Sequence, residues 1–236
     1  SNKFIYRSTN GTTWTAIDIS GLTDIGSVYT NGIYALTSDG GVGGNAAKWW
    51  FGIGGKLYYS SDDAATWALH ATFTGEIIQD LAFTNNTLVA LVKHGGNPHL
   101  RAAASSDTTD FSDKVQLTDS NNQGLSGNNA KRMAAGAGRV VVRDTARTLA
   151  ADVNGKTITI QGTRQDLPDE GNLNCIATDG SGNFWAGSDG GSTNADGGDI
   201  CKSTDGGLSW SKIVEGINVS GDRKVEGIAA NVTLPV

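Results

Sequence analysis

Along this chain, apolar and polar residues alternate with period two in short runs, and no stretch repeats with the period of a helix. Such runs include FIYR from Phe4, TAIDI from Thr15, KLYYS from Lys56, RTLAAD from Arg147 and SKIVE from Ser211. Bounded by Gly, Asn, Asp and Ser, runs of this length predict β-strands joined by tight turns. No helix is predicted.

The turns repeat. A motif of the form Ser-x-Asp/Asn-Gly-x-Thr-Trp reads STNGTTW from Ser8, SSDDAATW from Ser60, SSDTTDF from Ser105, DVNGKTI from Asp152 and STDGGLSW from Ser203. Its closing residues Trp14, Trp67, Phe111, Ile158 and Trp210 are 53, 44, 47 and 52 residues apart. A period in the high forties predicts radially repeated sheet modules. About twenty residues after each turn comes an apolar-Ala pair: Tyr34-Ala35, Leu81-Ala82, Met133-Ala134, Ile176-Ala177 and Ile228-Ala229. A second run follows (WWFGI from Trp49, LVALV from Leu88, VVVR from Val140, FWAG from Phe184, VTLPV from Val232), then a third that enters the turn and a fourth that leaves it. In the first repeat, Val28-Tyr29 with the Asn31-Gly32 turn offers another register, but repeat spacing favours the alignment through Ala35.

The first residues read as a third strand and the last as a second strand. Pairing N-terminal with C-terminal strands in one blade then completes a ring and leaves only short edges. The expected fold is all-β: a five-bladed β-propeller of four-stranded antiparallel blades, with residues 1–236 as a single domain.

Composition narrows the function classes. The 33 Gly and 38% hydrophobic content fit many turns around a modest core, and a net charge of −6 argues against nucleic acid or an anionic membrane as partner. No apolar run reaches the roughly 18 residues that a membrane-spanning helix requires. Cys175 and Cys201 fall in the first and third strands of one repeat, about 9–10 Å apart and too far for a disulfide, so two buried free thiols are expected. Asn10, Asn85, Asn218 and Asn231 satisfy N-x-[ST], at a frequency that chance explains in so Asn- and Thr-rich a chain. Thr, Asn and Gly richness with little Met or Lys suggests an extracellular or virion-exposed setting.

At its turns the chain resembles the Asp-box (BNR-repeat, sialidase-like) β-propellers, a group that includes sialidases, sortilin-type receptors, xyloglucan-cleaving hydrolases and photosystem assembly factors. The resemblance spans all five repeats, with the best boxes at Ser8, Ser60 and Ser203; the box at Ser105 ends in Phe111, and that at Asp152 keeps only Asn154, Gly155 and Thr157. It implies a structural role for Asn10, Asp62, Asp107, Asn154 and Asp205, whose side chains accept backbone N–H groups, and for the closing residues Trp14, Trp67, Phe111, Ile158 and Trp210, which pack between sheets. It also implies that these boxes lie away from the functional face. Sialidase chemistry is not implied, because the Arg-Ile-Pro motif is absent and that ring has six blades.

Candidate ligand-binding residues lie instead where inner strands begin, around the channel mouth: Gln79, Asp80, Lys131, Arg132, Asn174 and Glu226, completed by apolar positions such as Ile33 and Cys175. A mixed ring of acids, bases and amides suits a polyhydroxylated or zwitterionic ligand; water filling a polar channel is the alternative. Glycoside hydrolysis would need two carboxyls, about 5–5.5 Å or 6.5–9.5 Å apart, and only Asp80 and Glu226 qualify. His94 and His99 flank one connecting loop but lack further zinc ligands, with His70 the third histidine. Asp189, Asp196 and Asp199 lack the spacing of a calcium loop. Trp49 and Trp50 alternate across a strand and read as inter-blade filling, or as a sugar platform if one is exposed. No cofactor, metal or catalytic residue is assigned. The expectation is a monomeric, non-catalytic module binding a glycan or protein partner, with a glycoside hydrolase or an assembly factor as alternatives.

Overall fold

The computed structural model describes residues 4–22, 33, 35–40, 46–103, 109–126, 130, 132–168, 172–189, 198–217 and 225–229. β1 (Phe4–Arg7) and β2 (Thr15–Asp18) form a two-stranded antiparallel sheet. Four antiparallel meanders of four strands follow. Blade one holds β3 (Ala35–Ser38), β4 (Trp49–Ile53), β5 (Lys56–Ser60) and β6 (Ala68–Thr72). Blade two holds β7 (Glu76–Thr84), β8 (Thr87–His94), β9 (Asn97–Ala102) and β10 (Val115–Gln116). Blade three holds β11 (Arg132–Gly136), β12 (Arg139–Arg143), β13 (Arg147–Asn154) and β14 (Thr157–Asp166). Blade four holds β15 (Leu173–Thr178), β16 (Phe184–Ser188), β17 (Gly198–Ser203) and β18 (Ser211–Ile217). The first strands β3, β7, β11 and β15 lie side by side in chain order, so the sheets radiate from a common centre as the blades of a β-propeller. The register through Ala35 is the observed one, with Ala35 opposite Gly52.

The core lies between blades, which explains why the second strands read as continuous apolar runs. In β8, Leu88, Ala90 and Val92 pack with Trp50, Leu57 and Ile78 of the blade one–two interface, while Val89 and Leu91 pack with Val140, Val142 and Leu149 of the next. A strand buried on both faces has no polar side to show. Ala134, Val141, Ala150 and Phe184 fill the interface of blades three and four, and Ile19, Phe51, Ile53 and Tyr58 that between β1–β2 and blade one.

The repeated turn is a hydrogen-bonded clamp. The Ser60 hydroxyl accepts from the Ala64 amide at 2.9 Å, and Asp62 accepts from the Thr66 amide and hydroxyl at 2.8 and 2.6 Å. The Thr66 hydroxyl and amide hold the Asp62 carboxyl down to about 2. At Ser203 the Gly207 amide donates to the hydroxyl at 2.8 Å and Ser209 donates twice to Asp205. At Ser8, the Gly11 amide donates to the hydroxyl at 2.8 Å, and the Thr12 and Thr13 amides donate to Asn10 at 2.9 and 2.8 Å. Trp67 meets Phe51 edge-on at 4.6 Å, Phe111 meets Phe73 at 5.0 Å, and the Trp210 indole donates to Thr148 at 2.9 Å.

Two of these expectations need correction. Trp14 is 60% exposed and is not packed between sheets. Phe111 and Trp210 each reach the blade before their own, whereas Trp14 lines an open recess beside β1. Asn154 is no clamp: it pairs with Thr157 across a two-residue hairpin whose first central residue, Gly155, has φ 53°. With Asp152 where the other turns have the Ser that holds a longer loop, the chain closes by the shortest connection. Ile158 nevertheless packs on the blade two–three core. Asp107, Lys131, Asp196 and the runs from Val28 and Val232 lie outside the described residues.

Candidate functional site

Inner strands begin at the end of the molecule opposite the Ser-Asp turns, because the strands of each meander alternate in direction. Counting back three residues from Leu81, Met133, Ile176 and Ile228 gives Ile78, Ala130, Leu173 and Val225, all buried. The common frame thus extends to residues 225–229. Val225 also stands to blade four as Ile78 stands to blade one. A Cβ added to Gly52 would lie 2.6 Å from Ile78 Cγ2, and one added to Gly187 would lie 2.5 Å from Val225 Cγ1.

One residue further along, two blades share a device. Register shifts fall between Ile78 and Asp80 in β7 and between Leu173 and Cys175 in β15, which makes Gln79 and Asn174 the extra residues of two bulges. Bulges re-aim side chains and interrupt pairing. Both residues were singled out from the sequence for their place in the alignment; the bulges were not foreseen.

Asp80 is tied to its neighbours. Its carboxylate accepts from the Leu81 amide at 3.0 Å and, across the blade boundary, from the Met133 amide at 2.8 Å. Burial nevertheless dominates and raises its pKa to about 6, against the pull of those amides and of Arg132 and Arg143. Sequence reasoning missed Arg143, at the outgoing end of β12, because only the starts of inner strands were aligned. A cationic residue closing the apolar run VVVR was the available signal: it pairs directly with Arg132. Arg143 clamps blades three and four, donating from its guanidinium to the carbonyls of Leu173 and, at 2.7 Å, Asn174. Burial, then Arg132, lowers its pKa. Two buried donors here, Arg143 Nε and Asn174 Nδ2, have no acceptor among the described residues.

The structure therefore brings Asp80, Arg132, Arg143 and Asn174 onto the adjoining inner parts of blades two to four. Glu226 is exposed and bears on Cys175, whose thiol donates to the Val225 carbonyl at 3.4 Å. Cys175 and Cys201 are both buried and free, on strands separated by β16. Ile33 is more than one-third exposed. Trp50 is fully buried, whereas half-buried Trp49 donates to Asp63 at 3.2 Å beside an Arg7–Asp63 ion pair. Trp49 lines the recess of about 560 Å³ beside β1, with Tyr6, Trp14, Leu36 and Trp67. Among the described residues no group of three metal-ligating side chains converges.

The raised pKa of Asp80 makes a pH prediction. The folded state holds this proton up to about pH 6 while the unfolded chain releases it near 3.8, so the stabilisation is full below 3.8 and lost as pH rises through 6. Discounted for the part of the Asp80 side chain that solvent still reaches, about 2 kcal/mol is expected. Urea unfolding of wild type and Asp80→Asn at pH 4 and pH 7 should show wild type losing that amount relative to the variant; parallel profiles would show that the carboxyl does not titrate as described.

No family model and no curated protein matches this chain. Among solved structures it is similar to YCF48 bound to D1 peptide (13% identity, 89% of this chain and 61% of that one, TM-score 0.54). It is also similar to the GH74 xyloglucanase from Xanthomonas campestris (17%, 91% and 34%, 0.55). The GH74 enzyme of Niastella koreensis matches likewise (16%, 89% and 34%, 0.58). The chain spans 61% of the first and about a third of the other two. At these identities the likeness shows the fold, a β-propeller, and nothing of its chemistry.

Proposed function

We propose that this chain is a non-catalytic Asp-box propeller of five blades that binds a glycan or protein partner at the channel mouth. The observation that carries the binding reading is the pair of buried donors, Arg143 Nε and Asn174 Nδ2, beside Arg132 and without a protein acceptor among the described residues. A buried donor left without a partner costs about 1–3 kcal/mol, and an acceptor on a ligand recovers it. Two adjacent guanidinium groups facing one carboxylate favour a ligand rich in hydroxyl, carbonyl or carboxylate oxygens. YCF48, of the same fold, is bound to a peptide, which supports a protein partner as readily as a glycan.

The place of Val225 supports five blades. In this reading residues 225–229 are the innermost strand of a fifth blade, beside β15, where the Cys175 thiol meets the Val225 carbonyl. The half-sheet β1–β2 supplies the outer strands of that fifth blade.

Hydrolysis by Asp80 and Glu226 has one observation in its favour, the raised pKa that a general acid requires. Against it, the Asp80 carboxylate is occupied by two backbone amides. Glycan and peptide arrays probed with wild type and Arg132→Ala test the main reading. Binding lost in the variant is expected. Silent arrays, together with turnover of aryl glycosides that Asp80→Asn and Glu226→Gln abolish, would replace it with the hydrolase.

A further inference from the structure

We propose that His94 and His99 form a binding site for one borderline transition-metal ion, of the class of Zn²⁺, Ni²⁺ or Cu²⁺, on the mouth-side rim of blade two. The two histidines belong to one hairpin. His94 closes β8 opposite Asn97, and His99 lies two residues further along β9, opposite Val92. Diagonal positions of this kind share a sheet face, and the rings stand 6.0 Å apart between centroids.

That separation decides whether one ion can touch both. A metal sits about 2.0–2.1 Å from an imidazole nitrogen, hence about 3.2 Å from the ring centroid. Two rings on one ion are then about 5 Å apart at a tetrahedral angle and at most about 6.4 Å apart when collinear. The observed spacing falls inside this range, so the two rings stand at a distance that one ion can bridge.

The other ring nitrogens are already committed. His94 Nδ1 meets the Gly75 carbonyl at 3.3 Å, and His99 Nδ1 meets the Asn97 carbonyl at 3.1 Å. A carbonyl only accepts, so each neutral ring carries its proton on Nδ1 and presents the lone pair on Nε2. This is the outer arrangement that orients histidine ligands in metal sites. His99 is 7% exposed and held by its strand, so one ligand is preorganised. The surrounding charges moderate affinity. Glu76, directly opposite His94, is engaged by Arg101 through two bonds at 2.7 and 2.8 Å, and Lys114 adds a positive charge nearby. Two imidazoles as ligands select against Ca²⁺ and Mg²⁺ and leave coordination positions open.

Isothermal titration of the full chain with Ni²⁺ at pH 7.5 should show one ion per chain. His94→Gln, at the less buried position, should weaken it at least tenfold, while His70→Gln leaves it unchanged. Cu²⁺ bound to wild type should show two equatorial nitrogens by electron paramagnetic resonance, and one in His94→Gln. Absence of binding at millimolar Ni²⁺, or affinity unchanged in His94→Gln, would overturn the site.

Discussion

Trp50→Ala should cost about 3–5 kcal/mol, a large share of the roughly 5–15 kcal/mol that a domain commands. Trp50 is fully buried in the core between blades one and two. Its ring stacks on Phe83 of the next blade, 5.6 Å away at 11°, and meets Tyr59 at 5.5 Å. Removing it opens a cavity that β4 and β7 cannot close, because each is fixed by ladder bonds within its own blade. The indole Nε1 finds no acceptor among the described residues, so Trp50→Phe should lose far less than Trp50→Ala. Trp49→Ala should cost about 1 kcal/mol, since Trp49 is half-buried and its neighbours can relax. Urea unfolding measures all three. Equal costs for Trp49→Ala and Trp50→Ala would place the stabilising contacts elsewhere than in the inter-blade layers.

The second large effect concerns closure. Gly52→Ala places a methyl 2.6 and 2.9 Å from Ile78 side-chain atoms, and Gly187→Ala places one 2.5 Å from Val225 Cγ1 and 2.7 Å from Cys175 Sγ. Overpacking of this kind costs about 1–3 kcal/mol. If Val225 is held in a fifth blade as Ile78 is held in β7, the two substitutions should cost the same within about 0.5 kcal/mol. Val225→Ala should then recover part of the loss in the Gly187→Ala background and none in the Gly52→Ala background. A near-neutral Gly187→Ala would mean that residues 225–229 yield freely and that the ring is not closed there.

Much of this fold was legible in the residues because a propeller repeats its own signals. The Ser60 and Ser203 turns carry side chains that hydrogen-bond within four residues, so their form is local and readable. The apolar-Ala pairs located the inner strands for the same reason. What could not be read was non-local. Trp14 has the same local signature as Trp67, yet its burial depends on which sheet stands opposite. Asn154 kept enough of the motif to suggest a clamp, but with Asp152 in place of the Ser the tight hairpin won. At the candidate site, Gln79, Asp80, Arg132 and Asn174 followed from alignment. Arg143 did not, since its place depends on crossing from β12 to the carbonyls of the next blade. The two bulges were equally invisible, because a register shift depends on the partner strand.

The central claim is that the starts of the inner strands, and not the Ser-Asp turns, form the binding face. Hydrogen exchange of the chain with and without whichever glycan or peptide binds on the arrays tests it directly. Protection of the amides at residues 79–81, 132–134 and 173–176 is the predicted result. Protection confined to residues 60–67 and 203–210, at the opposite end of the molecule, would contradict it.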